Sequence, residues 1–259
     1  MNPLDTRFAR TAFALFGRQF RVLVAKPSLI LPMMMMPIFF FAAFAGGLSA
    51  VGSAPNFDYP DYTTFQFVFV LMQSAVFGAV FTGFSIASDF ESGFARRLLL
   101  AAHGRSALIA GYWLTSIFRA LLTWVVVTAV AVAAGASFNA SGLDILGLLL
   151  IAVLLNGAAI LFATGMAMRL RTLQGAPLIQ LPAFLLIMTA PVYVPRELIE
   201  GWVSTVADFN PMTAMMEAGR ELAIGAPADL LLAFGVVGGL IAAMATWAIT
   251  GLRRAERAA

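Results

Sequence analysis

Cysteine is absent from this chain of 259 residues, and histidine and lysine each occur once. Disulfide bonds, thiolate chemistry and metal sites built from cysteine and histidine are therefore excluded, which leaves carboxylates as metal ligands. The single lysine, Lys26, is followed by Pro27. A phosphate-binding loop requires the pattern G-x-x-x-x-G-K-[ST], so this polypeptide cannot bind ATP through such a loop.

Charge is also scarce: charged residues make up 11% of the chain and hydrophobic residues 61%, and the mean hydropathy is +0.91. Soluble domains carry about 25% charged residues, so this composition predicts an integral membrane protein. Six apolar runs approach the length of about 20 residues that a helix needs to cross a bilayer. We predict one all-α membrane domain over residues 1–259. Its predicted spans are residues 28–50, 63–87, 107–134, 143–168, 172–193 and 230–252.

Basic residues are distributed unequally between the segments that join these spans. Of the sixteen Lys and Arg residues, Arg196 and Arg220 fall in segments predicted to lie outside, and Arg119 falls within a span. The other thirteen fall in segments predicted to lie inside: Arg7, Arg10, Arg18, Arg21, Lys26, Arg96, Arg97, Arg105, Arg169, Arg171, Arg253, Arg254 and Arg257. Because basic loops stay in the cytoplasm, the pattern predicts six crossings with both ends cytoplasmic. Topology thus explains the net charge of +3 without nucleic acid as a partner.

Residues 88–106 form the strongly charged segment between the second and third predicted spans. Phe90, Phe94 and Leu98 follow one another at intervals of four residues, which is typical of one face of a helix. Gly93 and Gly104 bracket the segment from Phe94 onwards. We therefore predict a short amphipathic helix on the cytoplasmic side, at the place where a cytosolic protein would push on the membrane domain.

Residues 5–26 are predicted to form a helix that lies along the membrane surface, with Asp5 or Thr6 as its N-terminal cap. At 100° per residue, its four arginines fall on an arc of about 80°, and aromatic residues occupy the opposite side. It is too long and too evenly charged for the start of a secretory signal. The alternative is an ordinary solvated helix that precedes the first span.

Residues 194–229 are too polar to span a membrane and too apolar for a free loop. Leu198, Trp202 and Val206 share a helical face, and a second helix is predicted from Met212 to Ile224. We expect both short helices at the outer leaflet, where they act as a gate or merely seal the outside. Within the second helix, the spacing of Glu217, Arg220 and Glu221 predicts an ion pair on one helical face.

Two features inside the spans have competing interpretations. Met33 to Met36 offer a soft surface for varied hydrophobic ligands, or they serve plain packing or lipid contact. Arg119 either reaches toward headgroups or a neighbouring helix, or it belongs to the transport path.

Several short motifs occur in a fixed order along the chain and together carry a family resemblance. Lys26-Pro27 precedes a first span with internal prolines, and Asp89, Glu91 and Gly93 precede a run of three leucines. The later motif, Pro195, Trp202, Asn210-Pro211-Met212-Thr213, Arg220 and Gly225, is the most specific. Over nearly its whole length the chain resembles the permease subunits of type-2 ABC exporters, which include daunorubicin-resistance permeases and polysaccharide or lipid exporters. Members of that family usually have a proline in the turn after the leucines, where this chain has Ala102-His103-Gly104.

The resemblance implies a second permease, more often a copy than a relative, and two copies of a separate cytoplasmic ATPase subunit that binds ATP and magnesium. It implies that a groove of the ATPase receives a helix over residues 89–102, beside the N-terminal helix. The implied coupling residues are Asp89, Phe90, Glu91, Gly93, Phe94, Arg96, Arg97 and Leu98. An apolar cargo would suit a route lined by Met33, Met36, Phe40, Phe69, Phe77 and Arg119.

The function implied is ATP-driven export of a hydrophobic or amphipathic compound from a prokaryotic cell across the inner membrane, with no catalysis and no cofactor in this chain. A permease for a polysaccharide or glycolipid is an alternative. An ion-coupled secondary transporter would need ionisable groups near the middle of the bilayer, where the chain offers only Arg119 and, nearer the edges, Asp89 and Asp144. A membrane enzyme would need converging acid, base or metal groups, and the sequence offers little beyond Asp208 and Glu217.

Overall fold

The computed structural model describes residues 3–25, 28, 30–55, 57–101 and 105–257, which form helices and connecting turns without strands. This confirms the all-α prediction. The predicted features at Lys26-Pro27 and at 102–104 lie outside the described residues. The α-helices are α1 (Pro3–Ala25), α2 (Leu31–Gly47), α3 (Tyr62–Glu91), α4 (Phe94–Ala101), α5 (Arg105–Ala133), α6 (Gly142–Leu170), α7 (Ala176–Met188), α8 (Trp202–Phe209), α9 (Pro211–Ala223) and α10 (Leu230–Arg257).

Four of these helices, α3, α5, α6 and α10, are long and apolar enough to cross a membrane. The other two predicted spans contain the shorter apolar helices α2 and α7. Helix α7 has 13 residues, so it rises only about 20 Å. Its first turn holds Pro177, where the missing N–H costs nothing, and Pro182 lies inside it.

Helix α3 is the centre of the bundle. It packs against α2, α5, α6, α7 and α9, and 89% of its most apolar stretch is buried inside the chain. Near its middle, Asn156 of α6 donates hydrogen bonds to the Ala75 carbonyl (2.7 Å) and to the Ser116 hydroxyl of α5 (2.8 Å). By contrast, α10 packs on α6 and α9 and has 11% of its most apolar stretch buried. Its other surface is apolar and exposed, which suits contact with lipid.

The bundle has two ends, which we name by the short helices that they carry. At the α4 end, Arg171 after α6 donates to the carbonyl of Arg254 on α10, and α1 packs along α5. At the α9 end, the Ser137 amide after α5 donates to Asp61, the N-cap of α3. The consecutive helices α3, α5 and α6 therefore alternate in direction, whereas α6 and α10 run parallel, because both finish at the α4 end.

The structure differs from two of the predicted boundaries. Helix α3 continues through Glu91, so Phe90 belongs to α3, and the predicted helix over 89–102 is interrupted. The interruption is at Gly93, whose φ of 70° is a left-handed conformation that glycine adopts without strain. Helix α8 begins at Trp202, after a short 3-10 helix at Arg196–Leu198.

The second predicted outer helix corresponds to α9, but α9 is not a surface helix. Most of its residues are buried, including Met212, Met215 and Met216. Its inward face combines flexible methionines with the small residues Ala218 and Gly219, which allows close packing against α3 and α6.

Candidate functional site

Asp89 is the centre of a buried polar cluster at the α4 end. Arg18 of α1 donates two hydrogen bonds to its carboxylate, at 2.8 and 3.0 Å, and Gln19 donates a third at 3.1 Å. The Tyr112 hydroxyl of α5 donates a fourth at 3.2 Å. A buried carboxylate needs a counter-charge and hydrogen-bond donors, and this cluster supplies both. One side chain thus joins α1, α3 and α5.

Arg18 also connects this cluster to α4. Its guanidinium lies 3.8 Å from the centre of the Phe94 ring, in the geometry of a cation–π contact. Phe94 and Leu98 pack against the hydrophobic core, and Ala95 is buried beneath them. A displacement of α4 would therefore move the ring on which Arg18 lies.

A cleft of about 320 Å³ separates the outer parts of α1 and α4. Arg10 and Arg18 line one wall, and Phe94 and Leu98 line the other. Arg97 of α4 is exposed, whereas the side chain of Arg96 is outside the described part of the structure. The α4 end thus offers a surface that combines apolar side chains with positive charge.

Glu91, two residues after Asp89, contacts the opposite side of the bundle. Its carboxylate accepts hydrogen bonds from the Thr172 hydroxyl (2.6 Å) and from the Leu173 amide (2.8 Å). These residues lie in the connection between α6 and α7. The end of α3 is therefore linked to α1 and α5 through Asp89 and to α6 and α7 through Glu91.

The eight predicted coupling residues thus occupy different environments. Asp89 is 5% exposed and lies inside the chain. Phe90 is half-buried on α3, Glu91 is exposed, and Gly93 forms the turn into α4. The remaining four, Phe94, Arg96, Arg97 and Leu98, lie on α4.

The outer-helix motif forms a second cluster, at the α9 end. Asn210 caps α9 by accepting a hydrogen bond from the Met212 amide, and its own amide donates to the Leu186 carbonyl and the Thr189 hydroxyl of the α7 end. Pro211 starts α9, where its missing N–H costs nothing. Pro195 is buried, whereas Trp202 is 73% exposed on α8.

Arg220 is the most deeply buried cation of this cluster, at 1% exposure. It donates to the Pro191 carbonyl (2.7 Å), and its guanidinium lies 3.5 Å from the Phe65 ring centre. The next two carbonyls are held from α3: Gln66 donates to Val192 at 3.0 Å, and Tyr62 donates to Tyr193 at 2.7 Å. Three successive carbonyls after α7 are thus fixed by side chains of α9 and α3.

The predicted ion pair within α9 is wrong. Arg220 points into the core, and no ion pair with Glu217 or Glu221 is present among the described residues. Glu221 instead accepts hydrogen bonds from the amides of Ala228 and Asp229. Glu217 is partly buried, and this burial raises the pKa of its carboxyl.

Gly225 ends α9 with a φ of 74°. A Cβ atom at this position would lie 2.6 Å from the Asn139 carbonyl oxygen in the connection between α5 and α6. Both the backbone conformation and the close approach require glycine here.

The residues predicted to line a transport path are not equally accessible. Met33, Phe69 and Phe77 are at most 2% exposed, and Phe69 and Phe77 belong to the hydrophobic core of the chain. Met36 and Phe40 are partly exposed on α2. Arg119 is 5% exposed and donates to the hydroxyls of Thr82 (3.2 Å) and Ser85 (3.0 Å) on α3. Arg119 therefore bonds to a neighbouring helix, which is one of the alternatives that its position in the sequence predicts.

Sequence reasoning missed the partners of the two carboxylates at the α4 end. Arg18 was assigned to a cationic face directed at headgroups, but it is half-buried against Asp89. Gln19 and Tyr112 could have been suspected, because both lie level with the end of α3 and each can donate a hydrogen bond. Thr172 carries no such signal. Within the described residues, no group of three or more histidines, cysteines or carboxylates could hold a metal ion.

Comparison with known proteins agrees with this architecture. The model of the ABC-2 type transporter family matches residues 10–223, a range that includes the Asp89 cluster and the outer-helix motif up to Arg220. The chain is similar to the daunorubicin resistance ABC transporter permease protein DrrB1 of Streptomyces coeruleorubidus, at 28% identity over 228 residues. That similarity covers 85% of this chain and 77% of the relative. With its apolar helices, the chain is a multi-pass membrane permease. It belongs to the ABC-2 type transporter family.

Proposed function

We propose that this chain is the membrane-spanning subunit of an ATP-driven exporter in a prokaryotic inner membrane. Its spans are α2, α3, α5, α6, α7 and α10, and both ends of the sequence face the cytoplasm. The α4 end is then the cytoplasmic end and carries most of the arginines, as expected for a basic inside. The short α2 and α7 are extended toward the membrane surfaces by the turns around them.

The observation that carries this proposal is the pair of carboxylates at the end of α3. Asp89 and Glu91 connect the residues next to α4 with α1, α5 and the connection between α6 and α7. A protein that moves α4 thereby acts on both sides of the bundle. Such rigid-body transmission through packed helices is a common form of conformational coupling.

The moving protein is a cytoplasmic ATPase subunit, present in two copies, which binds ATP and magnesium. It contacts the exposed parts of α4 and the cleft beside α1, where Arg97, Phe94 and Leu98 are available. Glu91 and the turn at Gly93 transmit the movement, and Asp89 acts from inside as the tie to α1. The chain itself carries out transport without catalysis.

A second copy of the chain completes the transport route. The cargo is a hydrophobic or amphipathic compound, in keeping with the drug-resistance name of the relative. Of the residues predicted to line the path, we retain Met36 and Phe40, which are partly exposed on α2, as side chains that cargo contacts. We also retain Arg119, because its hydrogen-bond partner Ser85 is partly exposed. Met33, Phe69 and Phe77 are enclosed within one chain. Helices α8 and α9 close the outer end, with α9 as the fixed part.

Co-purification followed by reconstitution tests the proposal. The tagged chain is purified from its own cells, and the ATPase that accompanies it is identified and reconstituted with it in liposomes. We expect accumulation of a fluorescent hydrophobic compound that depends on ATP and stops when the ATPase is omitted. Transport by the chain alone, driven by a proton or sodium gradient, would show instead that it is a secondary transporter.

A further inference from the structure

Arg119 carries a buried positive charge that the described part of the chain does not neutralise. The described ion pairs with carboxylates are Arg18–Asp89 and Arg196–Asp208, and Arg119 takes part in neither. Its described partners are two hydroxyl groups, and its Nε–H has no hydrogen-bond partner. An arginine side chain remains protonated and has five N–H donors, so most of its hydrogen-bonding capacity is unused. Such a charge inside a membrane domain is costly unless something compensates it.

The charge of Arg119 lies at the level of the membrane and is close to the surface of the chain. Arg119 lies two helical turns, about 10 Å, beyond Tyr112 of the Asp89 cluster, which places it inside the bilayer on the cytoplasmic half. Its Nη2 donates to Ser85, and this serine is partly exposed, unlike Thr82. The guanidinium is therefore approached from the side of Ser85.

Aromatic side chains flank this approach. Helix α3 is buried on all sides from Phe65 to Val80, but Phe81 and Phe84 are partly exposed next to Ser85. Their rings make an edge-to-face contact with centroids 5.4 Å apart. The partly exposed stripe on α3 thus combines two aromatic rings, one hydroxyl and, behind that hydroxyl, an uncompensated guanidinium.

We propose that Arg119, Ser85, Phe81 and Phe84 form a site for the anionic head and adjoining apolar part of an amphipathic cargo. The head is a carboxylate, phosphate or sulfonate, which guanidinium groups bind with charge-assisted hydrogen bonds. This inference rests on the proposed transport function and narrows its substrate class. A cationic cargo is repelled at this site, because the local charge is already positive.

Binding of matched fluorescent probes tests the proposal without the ATPase. The probes are 12-(NBD-amino)dodecanoic acid and its methyl ester, which differ in whether the head is a carboxylate. Fluorescence anisotropy is measured with the purified chain in phosphatidylcholine nanodiscs at neutral pH, and empty nanodiscs correct for partition into lipid. We expect the acid to bind about tenfold more tightly than the ester, which corresponds to about 1.4 kcal/mol.

Variants then identify the group responsible. Arg119→Gln removes the charge but keeps a polar side chain, and we expect the preference for the acid to disappear. Arg119→Lys keeps the charge and should retain part of the preference. The matched control is Arg21→Gln, which removes an exposed arginine of α1 and should leave the preference unchanged.

Two results would overturn this inference: equal affinities of the original chain for acid and ester, or a full preference in Arg119→Gln. Either result would show that Arg119 only fastens α5 to α3. The comparison of probes on the original chain needs no variant, so it stands even if Arg119→Gln fails to fold. If the original chain prefers the acid probe but shows no ATP-driven transport when reconstituted with its ATPase, the result contradicts the proposed function and leaves this binding site standing.

Discussion

The two ends of the bundle each bury a charged side chain, but they surround it differently. At the α4 end, the Asp89 carboxylate is bound by side chains from α1 and α5, and Arg18 remains partly exposed. At the α9 end, the Arg220 guanidinium is enclosed by a backbone carbonyl and an aromatic ring. Side-chain partners can exchange when helices move, whereas backbone carbonyls fix the chain that carries them. The comparison indicates a movable α4 end and a fixed α9 end.

The largest effect is expected from Arg220→Ala. This change leaves the Pro191 carbonyl without its donor and creates a cavity against Phe65, which should lower the free energy of unfolding by about 3 kcal/mol. Thermal unfolding of the purified protein in detergent measures the loss. Arg196→Ala is the control, because its pair with Asp208 is exposed and should contribute less than about 1 kcal/mol. Equal losses in both variants would show that the α9 end is not held by Arg220.

The next effect is expected from Asp89→Asn, which removes the charge that Arg18 neutralises. We expect a loss of about 2 kcal/mol, since the carboxylate is buried but its arginine is partly screened by solvent. Hydrogen exchange should increase in α1 and leave α9 unchanged. Asp208→Asn makes the same chemical change in an exposed pair and serves as the control. If hydrogen exchange in α1 does not change in Asp89→Asn, Asp89 does not hold α1 against the bundle.

Glu91→Gln should separate coupling from stability. The carboxylate is exposed, so its replacement should change the melting temperature little, yet it weakens the hydrogen bonds to Thr172 and Leu173. We expect less transport per ATP hydrolysed in liposomes that contain the chain and its ATPase. Thr172→Ala, which removes one donor, should cause a similar but smaller loss, and Glu200→Gln at the α9 end should cause none. If Glu91→Gln transports as much compound per ATP hydrolysed as the original chain, the hydrogen bonds of Glu91 to Thr172 and Leu173 do not take part in coupling.

The smallest effect concerns the pH dependence contributed by Glu217. Because burial raises the pKa of this carboxyl, the folded chain holds its proton more tightly than the unfolded chain does. Its stabilising contribution is complete below the ordinary carboxyl pKa and is lost as the pH rises through the raised value. Glu217→Gln should therefore melt slightly higher than the original chain at pH 7, and the difference should vanish at pH 4. A difference independent of pH would contradict this assignment.

The all-helical fold could be predicted from the sequence, because composition and the length of the hydrophobic runs are properties of the chain alone. The orientation that the arginine distribution indicates stays a prediction. The amphipathic pattern also located α1 and α9 and the short helix after Gly93. The burial of α9 was not predictable in this way: an amphipathic period shows that one face is apolar, but not that Arg220 on the other face finds Phe65 and Pro191. Likewise, the sequence draws attention to Asp89 as an acidic residue beside the charged segment, but its partners Arg18 and Tyr112 lie 71 and 23 residues away along the chain. Such contacts depend on how helices pack.

The central claim, that a cytoplasmic ATPase drives this permease through the α4 end, is tested most directly by single-cysteine cross-linking. The chain contains no cysteine, so Arg97→Cys on α4 and Trp202→Cys on α8 each introduce one reactive thiol. Membranes that contain the chain and its co-purifying ATPase are treated with a short bifunctional cross-linker that reacts with a thiol and an amine. We predict a product with the ATPase from Arg97→Cys and none from Trp202→Cys. A product from Trp202→Cys, with none from Arg97→Cys, would contradict the account.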